Sequence, residues 1–201
     1  EAFGEGKPLF PRIEEEVNKQ EQPQQKPKQN KPLAAADVPA AMDLRVGQIK
    51  EVASHPDADS LYVLKVDAGE GELRTICSGL KASYEAAELQ DRKILLFANL
   101  KPAPLRGIMS AGMLFAGDLE AESHKCRLVS VPEGAKPGDR ALFKGIEPSE
   151  PRELKLKDFD KIALSVKGGE VFCTVVEGTP VALEIGGKAV TCDIPDGNGV
   201  H

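Results

Sequence analysis

The sequence predicts an all-β fold with short helices, and two observations lead to that class. Runs rich in Val, Ile and Leu alternate with Gly, Pro and Asp between residues 44 and 131, as strands and turns do. Aromatic residues make up only 4% of the chain and Trp is absent, so the core must consist mainly of aliphatic side chains. The predicted strands are Leu44–Val52, Leu61–Val66, Arg74–Ser78, Lys93–Ala98, Ile108–Phe115 and Lys125–Val131.

The order of these elements predicts a five-stranded OB-fold barrel. A helix is expected at Ser83–Gln90, and about five strands with one helix between the third and fourth is the order of that fold. Asp37 is expected to cap a short helix that runs through Met42. Residues 146–201 are predicted to form a small α+β unit that packs on the barrel. Its elements are a helix at Pro151–Leu164 and strands near Val171–Val176, Val181–Ile185 and Ala189–Cys192.

The composition changes sharply before the barrel. Residues Asn18–Lys31 are almost entirely Lys, Gln, Glu, Asn and Pro, which predicts a flexible linker over residues 17–36. Residues 1–16 contain an apolar group around Phe10 and are interpreted as the end of an upstream domain. The globular domain is expected to span residues 37–145. Because the chain begins at Glu1, we expect it to be part of a longer protein.

The charge balance excludes a general nucleic-acid coat. The chain carries 26 basic and 32 acidic residues, a net charge of −6, whereas extended phosphate binding needs a basic surface. Residues 41–145 are nearly neutral, with 14 basic and 15 acidic residues, and residues 146–201 hold 6 and 10. A small, local phosphate site therefore stays open.

Neither membrane insertion nor secretion is expected. No apolar run approaches the ~18 residues of a membrane span, and no secretory segment is visible. The four cysteines lie far apart and form no C-x-x-C pair, which favours reduced thiols in a cytoplasmic protein.

Catalytic and cofactor motifs are not found in the sequence. It contains no P-loop, no G-x-G-x-x-G and no Ser-His-Asp order, so an enzyme and a bound cofactor are not expected. His124 and Cys126 are interpreted as a surface pair. His55, Asp57 and Asp59 superficially resemble metal ligands, but two carboxylates are too few for a calcium loop. Turn formation is the favoured interpretation of this segment, and no metal site is expected.

Arg45 is the first candidate binding residue. It alternates with apolar Leu44 and Val46, so its side chain is expected on the solvent face of the first strand. There it could contact a phosphate or a base, or it could be an ordinary surface arginine.

The segment Asn99–Met113 carries the strongest chemical signal. Its only charges are those of Lys101 and Arg106, and both are positive. Asn99 and Ser110 could hydrogen-bond base edges, while Met113 offers an apolar platform for a base. The alternative is a hairpin that merely carries two surface cations.

These segments resemble the tRNA-binding domain family named after endothelial monocyte-activating polypeptide II. The similar stretches are D-L-R-V-G from Asp43, H-P-D-A-D-S-L-Y from His55, R-T-I-C-S-G-L from Arg74, N-L-K-P from Asn99, R-G-I-M-S from Arg106 and S-x-G-M from Ser110. They cover residues 40–145 in one order, and a weaker similarity continues through Pro151–Phe159.

The resemblance implies an OB-fold that grips tRNA largely through shape and backbone. By that resemblance the binding face would contain Asn99, Lys101, Arg106, Ser110 and Met113, with Arg45 and Ser78 as neighbours. The C-terminal unit would imitate a dimer partner, so that the chain acts as a monomer. Relatives usually carry a lysine run in that unit, whereas Asp158 and Asp160 dilute it here.

Residues Gly6–Glu14 resemble the end of the anticodon-binding region of methionyl-tRNA synthetase. The chain would then be the C-terminal appendix of such a ligase, tethering tRNA near an aminoacyl-tRNA synthetase in cis or in trans. Two alternatives stay open. One is a cytokine-like extracellular fragment, and the other is a protein-docking module of a multi-synthetase complex.

Overall fold

Alternating burial explains why the first strands form a sheet. In β2 (Tyr62–Asp67) every second side chain is buried, and the strand pairs antiparallel with both β1 (Leu44–Ser54) and β3 (Leu73–Ser78). Side chains of a strand point alternately to its two faces, so this pattern places one face of β2 in a core and leaves the other half-buried. The pairing register between β2 and β1 shifts between Ile49 and Glu51, as it does at a β-bulge or a similar irregularity.

The computed structural model describes residues 33–120, 124–150, 152–175 and 178–201, which all lie in one compact unit. The remaining strands are β4 (Lys93–Phe97), β5 (Ala103–Leu105), β6 (Ile108–Ser110), β7 (Met113–Leu114), β8 (Ala116–Asp118), β9 (Cys126–Leu128), β10 (Arg140–Phe143), β11 (Ile162–Lys167), β12 (Glu170–Val175), β13 (Val181–Ile185), β14 (Lys188–Ala189) and β15 (Gly199–Val200). The helices are α1 (Val38–Ala41), α2 (Ala86–Leu89) and α3 (Leu156–Phe159), with single 3-10 turns at Ala35–Asp37 and Leu80–Ala82.

The strand β4 is buried on both faces and separates two cores. Ile94 and Leu96 contribute to one core, together with residues of β2, β3 and α2. Leu95 and Phe97 point to the opposite side, into a second core. A continuous run of apolar residues is the pattern of a strand that is covered on both sides.

The second core is shared between the first 145 residues and the C-terminal segment. Three aromatic rings meet there, with the centroid of Phe159 in α3 lying 6.0 Å from that of Phe97 and 5.7 Å from that of Phe115. Phe97 and Phe115 are themselves 6.1 Å apart. The C-terminal segment therefore completes a core that the preceding strands leave open.

Backbone pairing also continues across residue 146. β10 pairs antiparallel with β1 on one side and with β13 on the other, and β12, β11, β15, β8 and β9 follow in that order. Within the described residues, thirteen strands form this one hydrogen-bonded sheet, and β5 and β6 form a separate two-stranded ribbon. The fold is thus mostly β, as predicted.

The first four predicted strands and the strand at Val181–Ile185 are confirmed to within one or two residues. The predicted strand Ile108–Phe115 is wrong as a single element, because Gly112 adopts φ of 142° and splits it into β6 and β7. A Cβ atom on Gly112 would lie 2.9 Å from the carbonyl oxygen of Phe97, so this close approach requires glycine.

The predicted helices are longer than those observed. Of the helix predicted at Pro151–Leu164, only α3 is helical among the described residues, and from Ile162 onward the residues alternate buried and exposed in β11. Of Ser83–Gln90, only α2 is helical. Asp37 occupies the cap position of α1 but makes no side-chain capping hydrogen bond.

The later strand predictions also need correction. Of the strand predicted at Lys125–Val131, only β9 is observed. Of that predicted at Ala189–Cys192, only the start forms a strand, β14, and Thr191 then makes isolated β-bridges to Ser130 and to Glu170. The strand predicted near Val171–Val176 corresponds to β12, which ends at Val175, and Val176 lies outside the described residues. The sequence patterns did not reveal β5, β8, β10 or β15, which contain only two to four residues each.

All four cysteines are free thiols. Burial raises the pKa of Cys173 to about 12 and that of Cys192 to about 11, so these thiols stay protonated at neutral pH. In the part of the chain that the structure describes, no helix has both the length and the apolar character to cross a bilayer.

The shared aromatic core predicts that α3 contributes strongly to stability. Replacing Phe159 with Ala should lower the free energy of unfolding by about 3–5 kcal/mol, the usual cost of removing a buried aromatic ring. Urea denaturation measures this change. The matched control is Leu156→Ala on the same helix, where the side chain is 55% exposed and little change is expected. Equal stability of the Phe159→Ala protein and the wild type would contradict the shared core.

Candidate nucleic-acid interface

The ribbon of β5 and β6 projects from the sheet as an exposed hairpin. Leu105 pairs with Ile108, so Arg106 and Gly107 form a two-residue turn, and both have positive φ, 48° and 90°. That combination is a type I′ turn, whose twist matches that of antiparallel strands. The turn places Arg106 at the tip, where it is exposed to solvent.

His55 anchors this hairpin to the loop between β1 and β2. Its ring is 4% exposed. The backbone N–H of Asp57 donates to Nδ1 of His55 at 3.1 Å, so the proton is on Nε2, which donates to the carbonyl of Leu105 at 3.1 Å. Both ring nitrogens are thus used by backbone groups, and the predicted turn at this segment is confirmed.

Arg74 anchors the two ends of the segment that carries the hairpin. Its Nη1 donates to the carbonyl of Ala98 at 2.6 Å and to that of Ala111 at 3.0 Å. Its Nη2 donates to Glu70 at 2.7 Å. This hydrogen bonding with Arg74 is the main reason why the pKa of Glu70 lies below its ordinary value. A charged side chain therefore bridges β3 to both ends of the segment.

Asn99 ties the start of the segment to two other parts of the chain. Its Oδ1 accepts from the N–H of Asp43 at 2.7 Å. Its Nδ2 donates to the carbonyls of Ala41 and Arg152, at 2.8 and 2.7 Å. Both protons of the amide are therefore used inside the fold. The structure thus shows a positioning role for Asn99, and its contact with a base edge stays a prediction.

Ser110 also has an internal role. It is 5% exposed, its Oγ accepts from the N–H of Cys77 at 3.0 Å, and it donates to the carbonyl of Gly112 at 3.2 Å. The Ser110 hydroxyl thus provides a hydrogen-bond acceptor for a backbone N–H of β3, where the segment Asn99–Met113 passes that strand. The predicted contact of Ser110 with a base stays a prediction, as does that of Asn99.

A cleft of about 420 Å³ lies between the hairpin and α3. Three of the predicted residues line it, namely Lys101, Ser110 and Met113, and Lys155 and Leu156 approach from the C-terminal side. The remaining lining residues are Cys77, Leu100, Pro102, Ala103, Pro104, Leu105 and Gly112. The walls are therefore mainly apolar, with lysines among them.

Backbone hydrogen bonds hold the two walls of the cleft together. The N–H of Leu154 donates to the carbonyl of Asn99 at 2.9 Å, and the N–H of Lys101 donates to that of Leu154 at 2.7 Å. Lys101 itself stays 56% exposed, with Glu153 4.0 Å from its Nζ. An exposed pair at that distance is weak, so the lysine is available to a stronger anionic partner.

Arg45 lies in an ion network away from the cleft residues. It donates from Nη2 to the buried carboxylate of Asp43 at 2.7 Å and contacts Glu70 at 3.3 Å. The hydrogen bond to Asp43 is the main cause of the raised pKa of Arg45. Ser78 ends β3 opposite Tyr62, half-buried and adjacent to the cleft residue Cys77. Neither residue is placed within the cleft lining.

Sequence reasoning missed four residues that matter here: His55 as an anchor, Arg74 as a bridge, and Lys155 and Leu156 as a wall. His55 and Arg74 stood inside stretches that were already singled out, but their partners are separated from them by 50, 24 and 37 residues. For Lys155, the basic character of the segment after Glu153 was the available signal.

Fold and cleft together define an OB-like module with a lysine-bearing apolar groove. Residues 44–140 match the tRNA binding domain family, and the chain belongs to that family. The chain is 43% identical over 133 residues to a cytoplasmic tyrosine–tRNA ligase of Danio rerio. This match covers 65% of the chain and 25% of the ligase.

Two further similarities extend into the C-terminal segment. The aminoacyl tRNA synthase complex-interacting multifunctional protein 1 of Cricetulus griseus is 34% identical over 184 residues, covering 89% of this chain and 50% of that protein. The crystal structure of the C-terminal domain of Plasmodium vivax p43 superposes with a TM-score of 0.67 at 28% identity, covering 81% of this chain and 98% of that domain. This chain thus spans half or less of the two full-length relatives.

The His55 contact predicts how the hairpin is kept rigid. In a His55→Ala variant, amides of residues 103–110 should exchange faster with deuterium, because the bond to the Leu105 carbonyl is lost. Amides in β2 should keep their protection. A His55→Gln variant, which retains a donor, should restore part of the slow exchange. Unchanged exchange of the hairpin in the alanine variant would exclude His55 as its anchor.

Proposed function

We propose that this chain binds tRNA as an auxiliary module without sequence specificity, with Lys101 and Arg106 contacting phosphates and Met113 contacting a base. The observation that carries the proposal is the rigid, exposed segment 99–113. Its polar side chains are used to hold it in place, while its two cations face solvent. A preorganised segment loses little conformational entropy on binding, so a few contacts suffice for a modest affinity.

Arg45 and Ser78 have weaker roles in this proposal. Arg45 is committed to Asp43, so we expect it to shape the surface electrostatically and not to grip a phosphate. Ser78 borders the cleft through Cys77 and is expected to sit at its edge. Asn99 and Ser110 contribute by fixing the backbone on which Lys101 and Arg106 stand.

The proposed barrel consists of β1, β2, β3, β4 and β7. β3 pairs with β2, β2 with β1, β1 with β4, and β4 with β7. The N–H of Ala111 donates to the carbonyl of Thr75 at 2.8 Å, which supports closure back onto β3. We propose domain limits of 37–145 for the barrel and 146–201 for the extension. The upstream domain end at 1–16 and most of the linker at 17–36 lie outside the described residues.

The auxiliary role concerns an aminoacyl-tRNA synthetase in the cytoplasm, attached in cis or bound in trans. The ligase among the relatives supports the first arrangement, and the complex-interacting protein supports the second. A tethered tRNA site raises the local tRNA concentration and needs no catalytic group of its own. A methionyl-tRNA ligase is the proposed parent, on the strength of Gly6–Glu14, which lie outside the described residues.

Docking within a multi-synthetase complex is the second candidate function. The aminoacyl tRNA synthase complex-interacting multifunctional protein 1 among the relatives supports this candidate. The shared core supports a monomer, since the extension itself covers the second core with Phe159. Co-purification with a synthetase that survives nuclease treatment would support docking by protein contacts.

The tRNA proposal predicts that Lys101→Ala and Arg106→Ala weaken tRNA binding and leave the fold intact. Each neutralised phosphate contributes about −0.7 to −0.9 to the slope of log K against log salt, so each variant should flatten that slope by about this amount. Fluorescence anisotropy with a labelled tRNA, measured from low to physiological salt, gives both quantities. Lys144→Ala is the matched control, because Lys144 is exposed and paired with an acidic side chain elsewhere. If both variants bind like the control, the assigned face is wrong.

A further inference from the structure

The cleft between the hairpin and α3 presents apolar side chains to water. Leu105 is 41% exposed and Leu156 is 55% exposed, and they lie on opposite walls. Met109, on the same hairpin, is 55% exposed. The other exposed large apolar residues of the described chain, Leu73, Met109 and Leu142, do not line this cleft. Clustered apolar exposure marks a binding site more often than chance exposure does.

The charges beside the cleft indicate the chemistry of its ligand. Lys101 and Lys155 line it, and Arg106 stands at the tip of the adjoining hairpin. The carboxylate of Glu153 lies 4.0 Å from Nζ of Lys101, and that of Asp158 accepts from the backbone N–H of Lys155 at 3.1 Å. The accessible cations therefore suit a ligand that combines a flat apolar body with an attached anion.

We propose that the cleft receives an unstacked nucleobase of the bound RNA, held between Leu105 and Leu156, with its phosphate against Lys101 or Lys155. The proposal rests on the proposed tRNA-binding function and makes it more specific. Double-helical RNA exposes phosphates and hydroxyls but keeps its base faces stacked, so it cannot bury these leucines. A base that is splayed out of a loop has two apolar faces, and its volume lies well within the cleft of about 420 Å³.

The extension is then part of the binding site itself. The family match ends at residue 140, whereas Lys155 and Leu156 belong to the segment that follows. The bonds between Leu154 and the backbone of Asn99 and Lys101 fix this segment beside the hairpin. Residues 152–156 thus supply a wall that the first 145 residues lack.

The test separates apolar contact from phosphate contact. Leu156→Ala and Leu105→Ala should each lower the affinity for tRNA roughly tenfold, since full burial of an exposed leucine contributes about 1.5–3 kcal/mol and these side chains start about half exposed. The slope of log K against log salt should stay that of the wild type, because an apolar contact releases no counterions. The matched control is Leu142→Ala, which removes an exposed leucine from β10. Thermal unfolding monitored by circular dichroism confirms that the variants are folded.

A second measurement observes the base directly. A short single-stranded RNA that contains 2-aminopurine should change its fluorescence on binding the wild type and not on binding Leu156→Ala, whereas the same strand in a duplex should give no change. Wild-type tRNA affinity in both leucine variants would overturn the cleft proposal while leaving the tRNA proposal standing. Loss of a synthetase partner from Leu156→Ala at unchanged tRNA affinity would assign the cleft to protein docking and also overturn it. Failure of the wild type to bind tRNA would overturn the proposed function itself.

Discussion

The side-chain amide of Asn99 is the constraint on which the binding surface depends. It joins the N–H of Asp43 at the start of β1, the carbonyl of Ala41 in α1 and the carbonyl of Arg152 in the extension. These three partners come from segments more than 50 residues away in sequence. Because an amide has a fixed planar geometry, this side chain fixes the distance between β1 and the C-terminal segment, together with the backbone bonds of Leu154 to Asn99 and Lys101. The cleft exists only because those two walls keep their spacing.

The polar residues of the segment serve rigidity, which leaves binding to charges and apolar groups. Each buried amide, hydroxyl and imidazole described here has its partners in the backbone, and leaving such a group unpaired would cost about 1–3 kcal/mol. The Ser110 hydroxyl bonds the backbone N–H of Cys77 and the carbonyl of Gly112. The His55 ring bonds the backbone N–H of Asp57 and the carbonyl of Leu105. A ligand that arrives at this surface therefore meets a backbone already in place, so its binding free energy is not consumed in ordering a loop.

The strands and the family could be predicted from the sequence. Which side chains of the site hold its backbone in place, and which stay available for binding, could not. Period-two alternation identifies β1 to β4 because each strand buries alternate side chains against its own core. The same alternation at Ile162–Val166 forms β11, which contradicts the helix predicted to run through Leu164. Whether Asn99 faces a base or the backbone depends on Arg152, and local pattern contains no information about such a distant partner. The cleft wall formed by Lys155 and Leu156 could not be predicted for the same reason, because it too depends on contacts with residues that are distant in sequence.

The acidic net charge and the proposed RNA contact are compatible because the cations are local. The extension holds 10 acidic and 6 basic residues, yet Lys155 is the basic residue that it places in the cleft lining. The acidic C-terminal segment disfavours extended contact with a phosphate backbone, so the proposed contacts are confined to Lys101, Arg106 and Lys155. The negative charge of the chain therefore contributes to the orientation of the bound RNA, whereas the small number of cations limits the affinity for RNA. A module that binds weakly in one orientation releases tRNA readily, which is what repeated transfer to a synthetase requires.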